Sequence, residues 1–258
     1  MKIVTIPLND DNYGYLLIDE FTGKAAVVDV SGQPDLLVLE AIARENVDAI
    51  MVLTTHKHWD HAGGNVKIKL SIPSIEVLGS ERDAVEGCTR FVTDGEEFPM
   101  SSIDVKCLLT PGHTMGHISY FVHHNGEYAV FTGDCLFIGG AGKVFEGTGA
   151  DMYHSIYEKL LTLPKETKIY CGHEYTLSNY RFALSIDSAN ADLFDAYERA
   201  QRLRGEGKPT IPSTIEVEMK TNPFLRVFDP VIQSACGCGS IDPIEVLTGV
   251  REAKNRFL

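Results

Sequence analysis

Six positions of the chain, His56 to His61, hold three imidazoles and a carboxylate in the order H-K-H-W-D-H. They open just after the apolar run Ala49–Leu53, with Thr54 and Thr55 between. Such a density of imidazole serves no packing purpose, and it restricts what the chain can fold into. The chain must enter the segment from a strand and turn at once. In an extended stretch His56 and His58 point the same way, because side chains alternate with period two. Asp60 and His61 join them only through a turn. One ion cannot readily take all four side chains from so short a loop. Two adjacent ions can, each taking a pair, and imidazole nitrogen and carboxylate oxygen are the usual donors for zinc and iron.

The remaining ligands must come from elsewhere. His113 in LLTPGHTMGH, Asp134 in VFTGDCLF and His173 in KIYCGHEY each follow a strand-like apolar run and a glycine. Several strands emptying ligands at one edge is how an α/β scaffold builds a site. A carboxylate such as Asp134 can bridge two metals, having two oxygens and a full negative charge.

The surrounding pattern fits that scaffold. Strands are expected at Ile3–Leu8, Tyr13–Asp19, Ala25–Val30, Ala49–Leu53, Ile103–Thr110, Ile118–His123, Tyr128–Thr132 and Lys168–Cys171. Residues 34–46 begin with Pro and an acidic residue, as a first helical turn does. Residues 151–163 place Met152, Ile156, Leu160 and Leu163 at helical spacing. Mixed strands and helices in this order predict an α/β layered body. After residue 173 the texture turns helical. Residues 175–204 read as two helices broken near DSAN, and KPTIPST as a Pro-marked turn. A last helix starts at Asp242, with Pro243 in its first position.

Charge narrows the partners. Residues 1–174 carry 13 Lys/Arg against 25 Asp/Glu, while the remainder is nearly balanced at 10 against 11. An acidic chain repels phosphate backbones, so no nucleic acid is expected. Bound metal would offset part of the excess. No apolar run reaches the roughly 18 residues of a membrane span. The opening MKIVTIPLND alternates like a strand and lacks a signal-peptide core. A soluble, cytoplasmic protein without membrane contact is expected. The six cysteines form no paired CxxC zinc knuckle. Cys107 and Cys171 read as core, and Cys236 and Cys238 in SACGCGS as incidental loop thiols.

THKHWDH, with the distant TPGHTMGH, FTGDCLF and YCGHEYT, resembles the metallo-β-lactamase superfamily. The chain is similar within it to the glyoxalase II (hydroxyacylglutathione hydrolase) family. HAGGN, GKVFEGT, GHEYT, PTIPST, TNPFLRV and VREAKNRF carry the likeness along nearly the whole sequence, helical tail included. H-x-H-x-D-H alone specifies just the superfamily, while GHEYT and the tail are far more specific.

The resemblance implies an αββα sandwich with a C-terminal α-helical domain. Residues 1–173 would form the catalytic domain and 174–258 the substrate-binding one. It implies two divalent ions, zinc foremost, with iron or manganese as alternatives. His56, His58 and His113 would hold one, Asp60, His61 and His173 the other, with Asp134 bridging. His117 is not a ligand in the family pattern, and His123, His124 and His154 carry no role beyond surface or packing. Lys143, Phe145, Tyr175, Arg251 and Lys254 match positions that meet the glutathione moiety. Phe145 stands where the family often has tyrosine, so one hydroxyl is missing.

The implied activity is hydrolysis of S-2-hydroxyacylglutathione, of the S-D-lactoylglutathione class, in methylglyoxal detoxification. A metal-bound hydroxide would attack, oriented by Asp60, in a monomer that needs no other partner. The alternative in the same superfamily is a glutathione persulfide (sulfur) dioxygenase with one iron.

Overall fold

The computed structural model describes residues 1–32 and 35–257. Pro34, expected to open the first helix, and Leu258, the last residue of the expected helical domain, lie outside the described residues.

Two six-stranded sheets form the body. The first holds β1 (Lys2–Leu8), β2 (Asn12–Ile18), β3 (Lys24–Val28), β4 (Asp48–Leu53), β5 (Glu76–Ser80) and β6 (Arg90–Val92), side by side in that order. β1 to β3 are antiparallel, and β3 to β6 run parallel. The second sheet comprises β7 (Glu97–Met100), β8 (Ile103–Leu109), β9 (Ile118–His124) and β10 (Glu127–Gly133). After the small hairpin β11 (Leu136–Phe137) and β12 (Gly140–Ala141), it continues with β13 (Lys168–Cys171) and β14 (Ser213–Thr214).

Strand alternation sorts the apolar side chains into two layers. Tyr15 and Leu17 of β2 and Val28 of β3 point inward, where they pack with Val105, Tyr120 and Phe131 of the second sheet. Leu16, Ile18 and Val27 point outward, against Val38 and Ala41 of α1 (Asp35–Glu45). Ile68 of α3 (Asn65–Ser71), which follows the short α2 (Trp59–Ala62), joins that outer layer. The expected αββα sandwich is therefore present.

The second half is helical. α4 (Gly149–Tyr153) opens on a capping box in which Thr148 and Asp151 bond reciprocally. The single helix expected over 151–163 is in fact three pieces. α4 passes into a widened π-turn at His154–Lys159, and that into a 3-10 turn at Leu160–Thr162. α5 (Thr176–Ile186) and α6 (Ala191–Gly205) break at the expected place, and the Asn190 side chain caps α6. α7 (Ile215–Thr221), α8 (Pro230–Ala235) and α9 (Pro243–Arg256) complete the chain. Asp242 caps α9 as expected, accepting from the Ile244 and Glu245 N–H groups at 3.0 and 3.1 Å. β14 carries this region onto the second sheet by pairing with β13, so helices and sandwich share one core.

Candidate metal centre and substrate cleft

All the expected ligands meet at one edge, where β4, β8, β10 and β13 end. β4 runs into Thr54, Thr55 and His56, and α2 is the turn that brings Asp60 and His61 back. Gly133 at the end of β10 adopts φ +44°. A Cβ there would meet Thr55 Oγ1 at 2.6 Å and His117 Nε2 at 2.7 Å, so glycine is required for Asp134 to enter.

The donor atoms form two cradles. In the first, His58 Nδ1 lies 3.0 Å from both His56 Nε2 and His113 Nε2, and His113 Nε2 is 3.4 Å from Asp134 Oδ2. In the second, His61 Nε2 is 3.3 Å from His173 Nε2, and both lie 3.3–3.4 Å from Asp134 Oδ1. Asp60 Oδ2 closes that cradle at 3.4 Å from His173 and 3.6 Å from His61. Donors about 2.0–2.1 Å from a tetrahedral ion stand about 3.3 Å from one another. The 3.3–3.6 Å spacings of the second cradle match that figure, while the two 3.0 Å contacts of His58 in the first are closer than it. Asp134 turns one oxygen to each cradle, and its buried Oδ1 has no hydrogen-bond partner. A Cβ on Gly172 would come within 2.4 Å of that oxygen, so the gap is kept clear.

The ring nitrogens behind the cradles are held. His61 Nδ1 lies 2.8 Å from Asp29 Oδ2, and His173 Nδ1 2.8 Å from Asp11 Oδ1. His113 Nδ1 donates to the Lys143 carbonyl at 2.9 Å. These contacts leave each Nε2 lone pair facing inward. Asn12 donates to Asp60 Oδ2 at 3.0 Å. Burial pushes Asp60 and Asp134 upward, but the imidazoles opposite them outweigh it and hold both carboxyls well below their usual range. Burial lowers His173, yet Asp134 and Asp60 outweigh it and raise the imidazole to about 10. The cluster thus calls for positive charge within it.

His117 stays outside both cradles. Its Nε2 accepts the Asp134 backbone N–H at 3.2 Å, its Nδ1 lies 2.8 Å from Thr110 Oγ1, and burial lowers it to about 3. It is a neutral support for the Asp134 backbone.

Asp11, Asn12 and Asp29 were missed in the sequence. The strand expected through Val30 ends at Val28, and Asp29 takes the left-handed conformation at φ +57°. Asp29 also accepts from the Thr55 N–H and hydroxyl at 2.7 and 2.8 Å. Its one sequence signal is a carboxylate after an apolar run, without the glycine that precedes Asp134.

A cleft of about 400 Å³ opens beside His113 and Asp134, and all five residues expected to meet glutathione line it. Lys143, Arg251 and Lys254 have no carboxylate partner among the described residues. Arg251 is 8% exposed. It donates to the Ala141 carbonyl at 2.7 Å and to Asn255 Oδ1 at 3.0 Å. Lys254 Nζ reaches the Ser178 carbonyl at 3.1 Å. Tyr175 stacks on His173 at 4.8 Å, and Phe145 packs 5.1 Å from His113. No helix among the described residues is long and apolar enough to cross a membrane.

The sandwich and its double cradle define a protein of the metallo-β-lactamase superfamily, whose family model matches residues 13–173. A second model, hydroxyacylglutathione hydrolase C-terminus, matches residues 174–257. The cytoplasmic hydroxyacylglutathione hydrolase of Arabidopsis thaliana is 48% identical over all of this chain and 99% of its own. The hydroxyacylglutathione hydrolase of Synechococcus sp. (strain JA-3-3Ab) is 40% identical over the full length of both. The chain belongs to the hydroxyacylglutathione hydrolase family. Among solved structures it is similar to ETHE1 from Myxococcus xanthus, with TM-score 0.68, 25% identity and 98% of each chain covered.

Proposed function

We propose that the protein hydrolyses S-2-hydroxyacylglutathione thioesters of the S-D-lactoylglutathione class, giving glutathione and a 2-hydroxy acid. This would be the second step of methylglyoxal detoxification, carried out in the cytoplasm by a monomer. The observation that carries the reading is the cleft itself. Three cations without carboxylate partners border a cavity floored by His113 and Asp134. Glutathione brings a carboxylate at each end, and a buried cation gains most from an anionic partner.

His56, His58 and His113 would hold one divalent ion and Asp60, His61 and His173 the other, with Asp134 shared. Zinc suits the donors best, and iron or manganese suit them too. When bound, such ions acidify water and polarise a carbonyl. Asp60, fixed by Asn12, orients the attacking water. Lys143, Arg251 and Lys254 hold the peptide's charges, and the Tyr175 hydroxyl is available to its amides. Phe145 contributes a ring face and no donor. A thiolate leaves without a general acid. Residues 1–173 are the catalytic unit in this reading, and 174–258 the unit that binds the glutathione moiety.

The one-iron dioxygenase alternative needs a single cradle, and the second cradle with its own carboxylate favours the hydrolase. Purified enzyme should release thiol from S-D-lactoylglutathione without consuming oxygen. Oxygen uptake on a glutathione persulfide, with no thioesterase activity, would replace this reading by the alternative.

A further inference from the structure

The loop between α8 and α9 holds two thiols that the reaction does not use. Cys236 Sγ and Cys238 Sγ lie 2.8 Å apart, closer than sulfur atoms that merely pack. Cα atoms two residues apart are at most about 7 Å apart, within the range a disulfide can span. Here the chain is bent tighter still. Cys236 is right-handed helical, and Gly237 takes φ +72°. Gly239 at φ +68° adds a second hinge beyond the pair. The loop can therefore close the bond with little movement elsewhere.

The two thiols are unequal. Cys238 is exposed, and Cys236 is 4% exposed. Burial, and then the neighbouring Cys238 thiol, push Cys236 upward, so it remains a protonated thiol. Cys107, Cys135 and Cys171 are buried in the core, and Cys88 is half-buried with no second thiol beside it among the described residues. Among the described residues Cys238 is thus the one exposed cysteine, and the Cys236 thiol lies within its reach. Glu245 and Glu252 share its shallow groove, which disfavours an anionic oxidant and leaves a neutral one unhindered.

We propose that Cys236 and Cys238 form a redox modification site for neutral hydroperoxides, with Cys238 the attacking thiol and Cys236 the resolving one. The Cys238 thiolate attacks the terminal peroxide oxygen, the O–O bond breaks, and hydroxide (or, from an organic hydroperoxide, alkoxide) leaves, giving a sulfenic acid on Cys238. The Cys236 thiol then attacks that sulfur, the S–O bond breaks, and water leaves with the thiol proton. Two thiols have been oxidised to one disulfide, and one hydroperoxide has been reduced. A thiol reductant reopens the bond by exchange, as is general for short, exposed disulfides. The inference is independent of the thioesterase reading, since both cysteines lie outside the cleft.

The test is intact-enzyme treatment with one equivalent of hydrogen peroxide, followed by alkylation in denaturant and peptide mass analysis. The peptide carrying Cys236 and Cys238 should lose two hydrogens and refuse the label, and dithiothreitol should restore both. Cys88 should remain labelled throughout. In the Cys236→Ser variant, Cys238 should stop at the sulfenic acid with one equivalent and pass on to the sulfinic acid with a second. In the Cys238→Ser variant, Cys236 should stay reduced at the same dose. Labelling of Cys236 beside an over-oxidised Cys238 in the wild type would overturn the proposal. So would oxidation of Cys88 at an equal rate.

Discussion

Asp134 faces His113 with one oxygen and His61 and His173 with the other, so its loss should disable both cradles together. Asp134→Ala is expected to abolish activity and to lower bound metal, measured by elemental analysis of the same sample. Asp29 stands one contact further out, at 2.8 Å from His61. Asp29→Ala should weaken metal affinity about 10–100-fold while leaving the fold intact. Unchanged affinity in a competition with a chelator would show that the ring needs no such support. Tyr175 is different in kind, because it stacks on His173 and its hydroxyl has no acceptor among the described residues. Tyr175→Phe should raise KM with kcat little altered, the sign of lost uniform binding. A collapse of kcat at constant KM would assign it to the transition state. The cradle residues were legible because crowded imidazoles have no packing use. Asp29 was not, because a carboxylate ending a strand looks like any turn residue until its left-handed backbone is seen.

At the scale of elements, α9 matters most for the proposed mode of substrate binding. Arg251 and Lys254 stand three residues apart on α9 and line one cleft as recessed groups, Arg251 being buried. Burial, then Arg251 and Arg181, lower Lys254 to about 8. An unfolded lysine keeps its proton to about pH 10.4. The folded side chain therefore loses its charge first, as pH rises through 8. KM for the glutathione thioester should rise above that pH, and Lys254→Arg should flatten the profile. A KM that is flat from pH 7 to 9 in the wild type would remove Lys254 from binding. Arg251→Ala with Lys254→Ala should raise KM for this substrate and spare a small uncharged thioester. Salt should change little of that, since recessed charges are weakly screened. Other elements were less legible. β5, β6 and β7 are no longer than five residues, and Gly79 in β5 and Pro99 in β7 are poor strand formers, so no strand was expected there. The 151–163 pattern reads as helical because Met152, Ile156 and Leu160 are four apart and all buried, a spacing that an α-turn and a wider π-turn both accommodate.

For the whole molecule, the layered body was readable from strands that end in glycine and a ligand. The way the helical tail joins it was not, because β14 is two residues long and has no sequence signal. That tail and the sandwich share a core, and ligands from both sheets meet at the cradles. Metal should therefore stabilise the molecule as one unit. At a thousandfold excess over Kd a bound ion contributes about 4 kcal/mol. In a chain of this size that is worth about 10 °C in Tm. Removal of metal should lower Tm by at least this much in a calorimetric scan, and an unchanged Tm would argue against ordered sites. The most direct test of the account is a titration of zinc back into the metal-free enzyme, followed by thiol release from S-D-lactoylglutathione. Activity should rise until two equivalents per chain are bound and then stop. Full activity at one equivalent, or none at two, would contradict it.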